Sequence, residues 1–407
     1  MSDAPGTRVV DIAIAGGGIV GLVFARLLAA GLQQAGTRPS ITLLEPDPPQ
    51  ELQDADIDLR VSALSPASRE VLHDAGMWQL LPASKVCAYE RMCVWQAGHS
   101  IDGTHSIRFD AAELGEPDLG HVVENRALRQ AAWQQVMSAG IGISSASRAI
   151  GITEQQSSCE IAFANGERLS ARLLVGADGV RSMVRAQMGV NFREWAHTQS
   201  AIVAHVATEK PHAGTAWQSF LPGGPVALLP LADGRSSLVW SCPTAQAREL
   251  QEMDIQNFDK ALTAAFAATL GTVHCTTDRV SFPLATGYAD RYTGRRFALI
   301  GDAAHRVHPL AGQGVNLGLL DAALLAEVLL AHLLKPAADP GDPVALRRYE
   351  RGRKGANLLA LGTMDAINRA FSGSARDIAG RGLGIVDQLT PLKSRLARYA
   401  MGRGAHG

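Results

Sequence analysis

The stretch that most constrains this chain lies near its start. Residues 9–15 are an apolar run of strand length, Gly16-Gly-Gly-Ile-Val-Gly21 follows, and residues 22–32 carry apolar positions at helical spacing. The triplet Gly-x-Gly-x-x-Gly thus stands between a strand and a helix, the context that gives it a mechanism. Gly16 permits a tight turn, Gly18 lets a pyrophosphate approach the backbone, and Gly21 lets helix and strand pack closely. A second apolar run, residues 41–44, ends at Glu45, 24 residues beyond Gly21. A carboxylate there either accepts hydrogen bonds from the two ribose hydroxyls of an adenosine or is a solvated strand end.

A second seam lies at residues 297–321. The apolar run 297–300 reads as a buried strand, Gly301-Asp302 ends it, and apolar residues recur at helical spacing from Val315 to Leu330. Asp302 is then at a strand's carboxyl end, beside the crevice where ligands of open α/β sheets collect. Gly312 and Gly314 allow a sharp turn, and the free N–H groups of the next helix would face an anion there. The plain alternative is a strand-turn-helix with Asp302 as a cap. Residues 173–182 repeat the pattern, a buried strand ending in Gly176-Ala-Asp-Gly179; Asp178 either joins the same crevice or caps a turn.

Between these seams, Arg60 leads a strand-like segment and reaches a pyrophosphate or merely lies on the surface. Residues 89–95 and 105–109 read as strands of another sheet. Residues 122–130 read as the opening of a helix with Arg126 and Gln130 on one face, toward a ligand or solvent. Residues 200–243 alternate as strands, with Asp233-Gly234 a hairpin turn and residues 222–225 a looser one. Residues 244–270 read as helical and 273–283 as a strand. The expected architecture is α/β: a Rossmann-like nucleotide-binding domain (1–85, 115–187 and 285–341), an inserted antiparallel β-sheet substrate domain (86–114 and 188–284), and a C-terminal helical region (342–407).

Lys plus Arg number 38 against 39 Asp plus Glu, so the charge balance does not favour nucleic acid as a partner. Five scattered cysteines, none spaced Cys-x-x-Cys, point to a reducing compartment without a zinc site or disulfide frame. No apolar signal region precedes the first strand, and the apolar stretch 322–334 is short and holds Glu327 and His332, so no membrane span is expected. The expectation is a cytoplasmic protein, peripheral to the inner membrane at most. Residues 342–407 hold twelve Lys and Arg against five Asp and Glu. That basic excess is either a solvated bundle face or a surface for anionic lipid or an acidic partner. Leu358, Leu361, Met364, Ile367 and Phe371 form an apolar stripe there, read as a docking face with packing on the nucleotide domain as the alternative.

The glycine triplet, Asp178-Gly179 and Gly301-Asp302 together resemble the single-component FAD aromatic hydroxylases. Residues 60–65, Gly76 with Trp78, residues 122–125, 282–284 and 301–321, Pro391-Leu-Lys393 and Ala400-Met-Gly402 narrow the resemblance to the ubiquinone-biosynthesis hydroxylases. It implies an FAD-dependent monooxygenase that hydroxylates the ring of a polyprenylated phenol with NAD(P)H and O2, through a flavin C4a-hydroperoxide. Other phenolic substrates, or a flavin-binding scaffold of a quinone-synthesis complex, are the alternatives; a flavin halogenase is disfavoured by the lack of Trp-x-Trp-x-Ile-Pro. By the resemblance Gly16, Gly18, Gly21 and Glu45 hold the ADP half, Arg60, Arg126 and Gln130 lie along the pyrophosphate and ribityl path, and Asp302 binds the ribityl chain. Pro309, Gly314, Val315 and Asn316 border the isoalloxazine ring, and Asp178 is carried over because this motif serves both FAD and the nicotinamide donor. No metal or protein nucleophile is implied, since the flavin carries the chemistry. His305 and His308 are read as structural residues of the turn before Pro309 rather than as acid or base.

Overall fold

The computed structural model describes residues 7–53, 58–145, 148–307, 313–373 and 375–403. Its first sheet is built on Arg8–Ala15, whose fully buried Ile12, Ala13 and Ile14 mark a central strand. Ile41–Leu44 and Arg168–Gly176 flank it in parallel, and Phe297–Leu299 pairs in parallel with the latter. The ends of these strands therefore share one edge, which carries the glycine loop, Glu45, Ala177-Asp178 and Gly301-Asp302. Strands Ala149–Glu154 and Cys159–Phe163 extend the sheet in antiparallel fashion.

A nine-stranded sheet forms the second body. Its central strand Phe192–Thr208 pairs antiparallel with Ser236–Pro243 on one side and Val280–Ala289 on the other. Ile202, Ala204, Val206, Leu238 and Trp240 point to a buried cluster beneath helices Thr244–Glu252 and Ile255–Ala265. The alternating residues Val203, His205, Ser237 and Val239 consequently line the opposite face.

Five expectations need correction. Val122–Glu124 belongs to strand Gly120–Glu124, because two β-branched residues sit between Val61–Leu64 and Val86–Tyr89 in a small three-stranded sheet; the helix begins at Asn125. This pairing also separates Val86–Tyr89 from the large sheet. Residues 244–270 hold two helices, since Asp254 accepts from Asn257 N and starts a new one. Residues 273–289 form two strands, Val273–Cys275 and Val280–Ala289, both pairing with the central strand. The large sheet is not purely antiparallel: Thr215–Leu221 runs parallel to Arg91–Gln96.

The C-terminal region is not a separate appendage. Helix Pro343–Ser372 starts with Asp342 capping Val344 and Ala345 N, and its first half lies against helix Gln313–Leu333 with Leu346 and Tyr349 fully buried. The 358–371 stripe packs on the protein's own large sheet, not on the nucleotide domain: Phe371 stacks on Phe220 at 3.9 Å, with Met364 and Ile367 beside it. Asn368 donates to Gln199 at 3.0 Å in the same contact. Gly314–Leu333 is long and apolar enough to cross a membrane by length and composition. Leu319, Ala322, Leu325 and Leu329 are instead fully buried between helices Ile19–Gln34 and Pro343–Ser372, which makes it a core helix.

Candidate functional site

The glycine loop is fixed by its own geometry. Gly16 has φ +107°, and a Cβ there would collide with the Ala177 carbonyl; one at Gly21 would collide with the Gly16 carbonyl. Gly18 differs. Its φ of −75° suits any residue, and an added Cβ would meet nothing within 4 Å. None of the described neighbours requires glycine at this exposed position. Gly18 is also the N-cap of helix Ile19–Gln34, which has no side-chain cap and no acid in its first turn. Unsatisfied N–H groups and the positive end of the helix dipole thus open beside free space, an arrangement suited to phosphate.

Glu45 closes the loop from the next strand. Its Oε2 accepts from Gly17 N at 2.6 Å and its Oε1 from Asp47 N at 2.9 Å. A carboxylate offers about four acceptor positions, so lone pairs are left for two hydroxyl donors. Arg129, which the sequence reading passed over, clamps the same corner: Nε donates to Gly17 O at 2.9 Å and Nη2 to Asp47 O at 2.6 Å. Its neighbours Arg126 and Gln130 share this end of helix Asn125–Ser138. Arg126 is exposed, its backbone N donating to Asp58 Oδ2 at 2.8 Å. The Gln130 side-chain oxygen is buried with no hydrogen-bond partner among the described residues.

The second strand end meets the first around one side chain. Val20 touches both the space above Gly301 and that above Gly318, so the glycine-loop helix and the start of Gln313–Leu333 lie side by side. Asp302 is open to solvent, and its carboxylate has no hydrogen-bond partner among the described residues. Desolvation by the surrounding protein pushes its pKa up, opposed by the charges of His305, Arg306 and Arg60. It is an exposed carboxylate at the end of the strand that pairs with Arg168–Gly176. Arg60 is exposed, and its charge reaches Asp302.

Beneath the crevice is a network that sequence reasoning missed. Asp321 Oδ2 accepts from Gly301 N at 3.1 Å and lies 2.6 Å from His305 Nε2; Oδ1 accepts from Arg353 Nε at 2.7 Å and Asn357 Nδ2 at 3.0 Å. Burial raises the Asp321 pKa, but His305 and Arg353 more than offset this and hold it at about 2. Facing that ionised carboxylate, His305 Nε2 carries the hydrogen. His305 is fully buried. The available signal was Asp321 itself, an acid on the buried side of an apolar helix.

Asn316 is pinned at the start of that helix. It accepts from Ser65 N at 2.9 Å and donates to Ala63 O at 2.8 Å, joining the helix to the turn after Val61–Leu64. Gly314 and Val315 beside it are half-buried, and none of the described residues lies within 4 Å of a Cβ placed on Gly314. Asp178 is adjacent to Gly16, but its carboxylate serves its own chain: it accepts from Ser182 Oγ, Met183 N and Val184 N at 2.5, 2.7 and 3.0 Å. The cap reading thus accounts for the side chain. Pro309, with His308, lies outside the described residues.

A family model described as FAD binding domain matches residues 9–356. The chain belongs to this FAD-binding family. The flavoprotein is 36% identical to the ubiquinone hydroxylase UbiL of Rhodospirillum rubrum, over 97% of this chain and 90% of that one. It is 35% identical to the 3-demethoxyubiquinol 3-hydroxylase of Escherichia coli, over 96% and 98%. Identity to the human mitochondrial ubiquinone biosynthesis monooxygenase COQ6 is 34%, over 98% and 94%. Among solved structures, PqsL of Pseudomonas aeruginosa, described as a probable FAD-dependent monooxygenase, superposes with TM-score 0.75 at 23% identity, covering 92% of this chain and 99% of that one. That last likeness supports the fold alone.

Proposed function

We propose that this flavoprotein hydroxylates the aromatic ring of a polyprenylated phenol in ubiquinone biosynthesis, using NAD(P)H and O2. The observation that carries the reading is the near full-length likeness to ubiquinone hydroxylases, combined with a crevice whose free groups match FAD. In this reading the helix start at Gly18 takes the pyrophosphate, and the remaining lone pairs of Glu45 take the ribose hydroxyls. The unpartnered Asp302 carboxylate and Gln130 oxygen accept from the ribityl hydroxyls, with Arg60 and Arg126 at the phosphate rim. Gly314, Val315 and Asn316 border the ring and direct backbone N–H groups toward it.

Bound FAD, reduced by the nicotinamide donor, supplies the activated oxygen. The protein's part is to orient the phenol and keep water away. The large sheet suits this: Val203, Ala227, Leu229 and Val239 share its face away from the inner apolar cluster, and the last three are half-buried. His205, on that face, feels the charges of Arg235 and Asp233 and, more weakly, that of Asp58, whose carboxylate accepts from the backbone N of Arg60 and Arg126. An apolar wall over the crevice fits a ring. A polyprenyl tail also places the substrate in a bilayer, so the enzyme works at a membrane surface.

The test is NAD(P)H oxidation by purified protein with and without a short-chain prenylphenol, in an atmosphere of labelled dioxygen. The reading requires stimulated oxidation and one labelled oxygen in the product. Oxidation that no phenol stimulates sinks it.

A further inference from the structure

The last two helices, Arg376–Gln388 and Thr390–Ala400, have sharply different inner and outer faces. On the inner face Gly380 and Gly384 press against the loop before Ser106–Asp110; a Cβ at either would collide with Gln96 or the Thr104 carbonyl. Ala379, Leu383 and Val386 join the cluster containing Phe371, and Met401 joins Ala111 and Leu119. The acids also face inward. Asp377 accepts from Gln96 at 2.7 Å, and Asp387 accepts from Arg108 N and Lys393 Nζ, both at 3.1 Å.

The outer face is apolar and basic. Ile378 is 77% exposed and Ile385, seven residues on, 59%. Leu389, Leu392, Leu396 and Tyr399 continue the exposed series at helical spacing along the second helix. Arg381 lies between the two isoleucines, Arg395 between Leu392 and Leu396, and Arg398 follows. All three are exposed and make no ion pair among the described residues.

We propose that this outer face docks on an anionic phospholipid bilayer. Isolated aliphatic tips among arginines are suited to shallow insertion, with the guanidinium groups at the phosphates. Neither signal holds a protein on a membrane alone; charge and apolar insertion together do. An acidic protein partner would satisfy the arginines but leave no reason for six exposed apolar side chains spread over two helices. The inference rests on the hydroxylase reading only for the source of the substrate. It also relocates the docking face: the 358–371 stripe is core, whereas this one is not.

Flavin-loaded full-length protein is sedimented with phosphatidylcholine vesicles with and without phosphatidylglycerol. Binding is expected only with phosphatidylglycerol, weakening as salt rises. Arg381→Glu/Arg395→Glu/Arg398→Glu should weaken it by about tenfold or more, and Ile378→Ser/Ile385→Ser/Leu392→Ser/Leu396→Ser should release the protein even at low salt. Both variants should keep their flavin and their turnover of a tail-less, water-soluble phenol. Wild-type protein that stays in solution, or variants that bind like wild type, overturn the docking proposal. If vesicle binding holds but no phenol is turned over, docking stands and the hydroxylase reading falls.

Discussion

Arg353 Nε stands 2.7 Å from Asp321 Oδ1, inside the protein and directly beneath the turn that presents Asp302 to the crevice. The pair joins helix Pro343–Ser372 to helix Gln313–Leu333. Tyr349 adds a second bolt, donating to Leu299 O at 2.7 Å at the end of the strand that leads into the turn. The C-terminal helix therefore positions the site without touching it.

Asp321→Asn is expected to destabilise the protein by about 3–5 kcal/mol, because it leaves Arg353 buried without its counter-charge. Chemical denaturation of both proteins measures this. The wild-type pH dependence has a fixed sign. The folded-state pKa is about 2 against an ordinary 3.8, so this stabilisation is fully present above the unfolded value and lost as pH falls between the two. The variant's stability should be flatter in that window; equal slopes would remove Asp321 from the account.

Truncation after Gly341 should give insoluble protein without flavin, since it removes Tyr349, Arg353 and Asn357 from the core. A soluble, yellow truncate would show that the first half of the helix is dispensable.

The two glycines should separate cleanly. Gly16→Val strains a positive φ, at a cost of about 1–3 kcal/mol before its collision with Ala177, and should lower the apoprotein melting temperature. Gly18→Val has an ordinary φ and open space, so apoprotein stability should fall by no more than about 1 kcal/mol, the cost of a poorer N-cap, while FAD is excluded. Calorimetry of the apoproteins and flavin titration read the two effects. A Gly18→Val protein that binds FAD normally would remove the pyrophosphate from this place.

What the sequence made legible was local. Strand, glycine triplet, helix, strand and Glu45 follow each other closely enough for pattern to specify geometry, and Asp302 stands out because a strand must end where it does. Arg129 was invisible because its partner Gly17 is 112 residues away, and no periodicity links a mid-helix arginine to one carbonyl. Charge counting in the basic tail is blind in the same way. Counting charges in residues 342–407 treats Arg353 as surface, although its carboxylate lies 32 residues upstream. The 358–371 stripe was correctly apolar, but amphipathicity identifies a buried face without identifying what covers it.

Asp302→Asn sets function against stability. Desolvation by the surrounding protein raises the Asp302 pKa, so its stabilising contribution is complete below the unfolded value of 3.8 and lost as pH rises through the folded value. Once ionised, the carboxylate is a cost to the apoprotein, with no hydrogen bond among the described residues to offset it. Asparagine removes the charge at nearly constant volume, so the apo variant should melt at the same temperature as wild type or higher. A ribityl hydroxyl would lose a charged acceptor, worth about 1.5–3 kcal/mol, which weakens FAD binding by about one to two orders of magnitude. Paired measurements of apoprotein melting and FAD affinity at neutral pH decide the matter. A variant that binds FAD as tightly as wild type would reject the carboxylate's role, and one that melts lower with no flavin present would show Asp302 to be a structural cap.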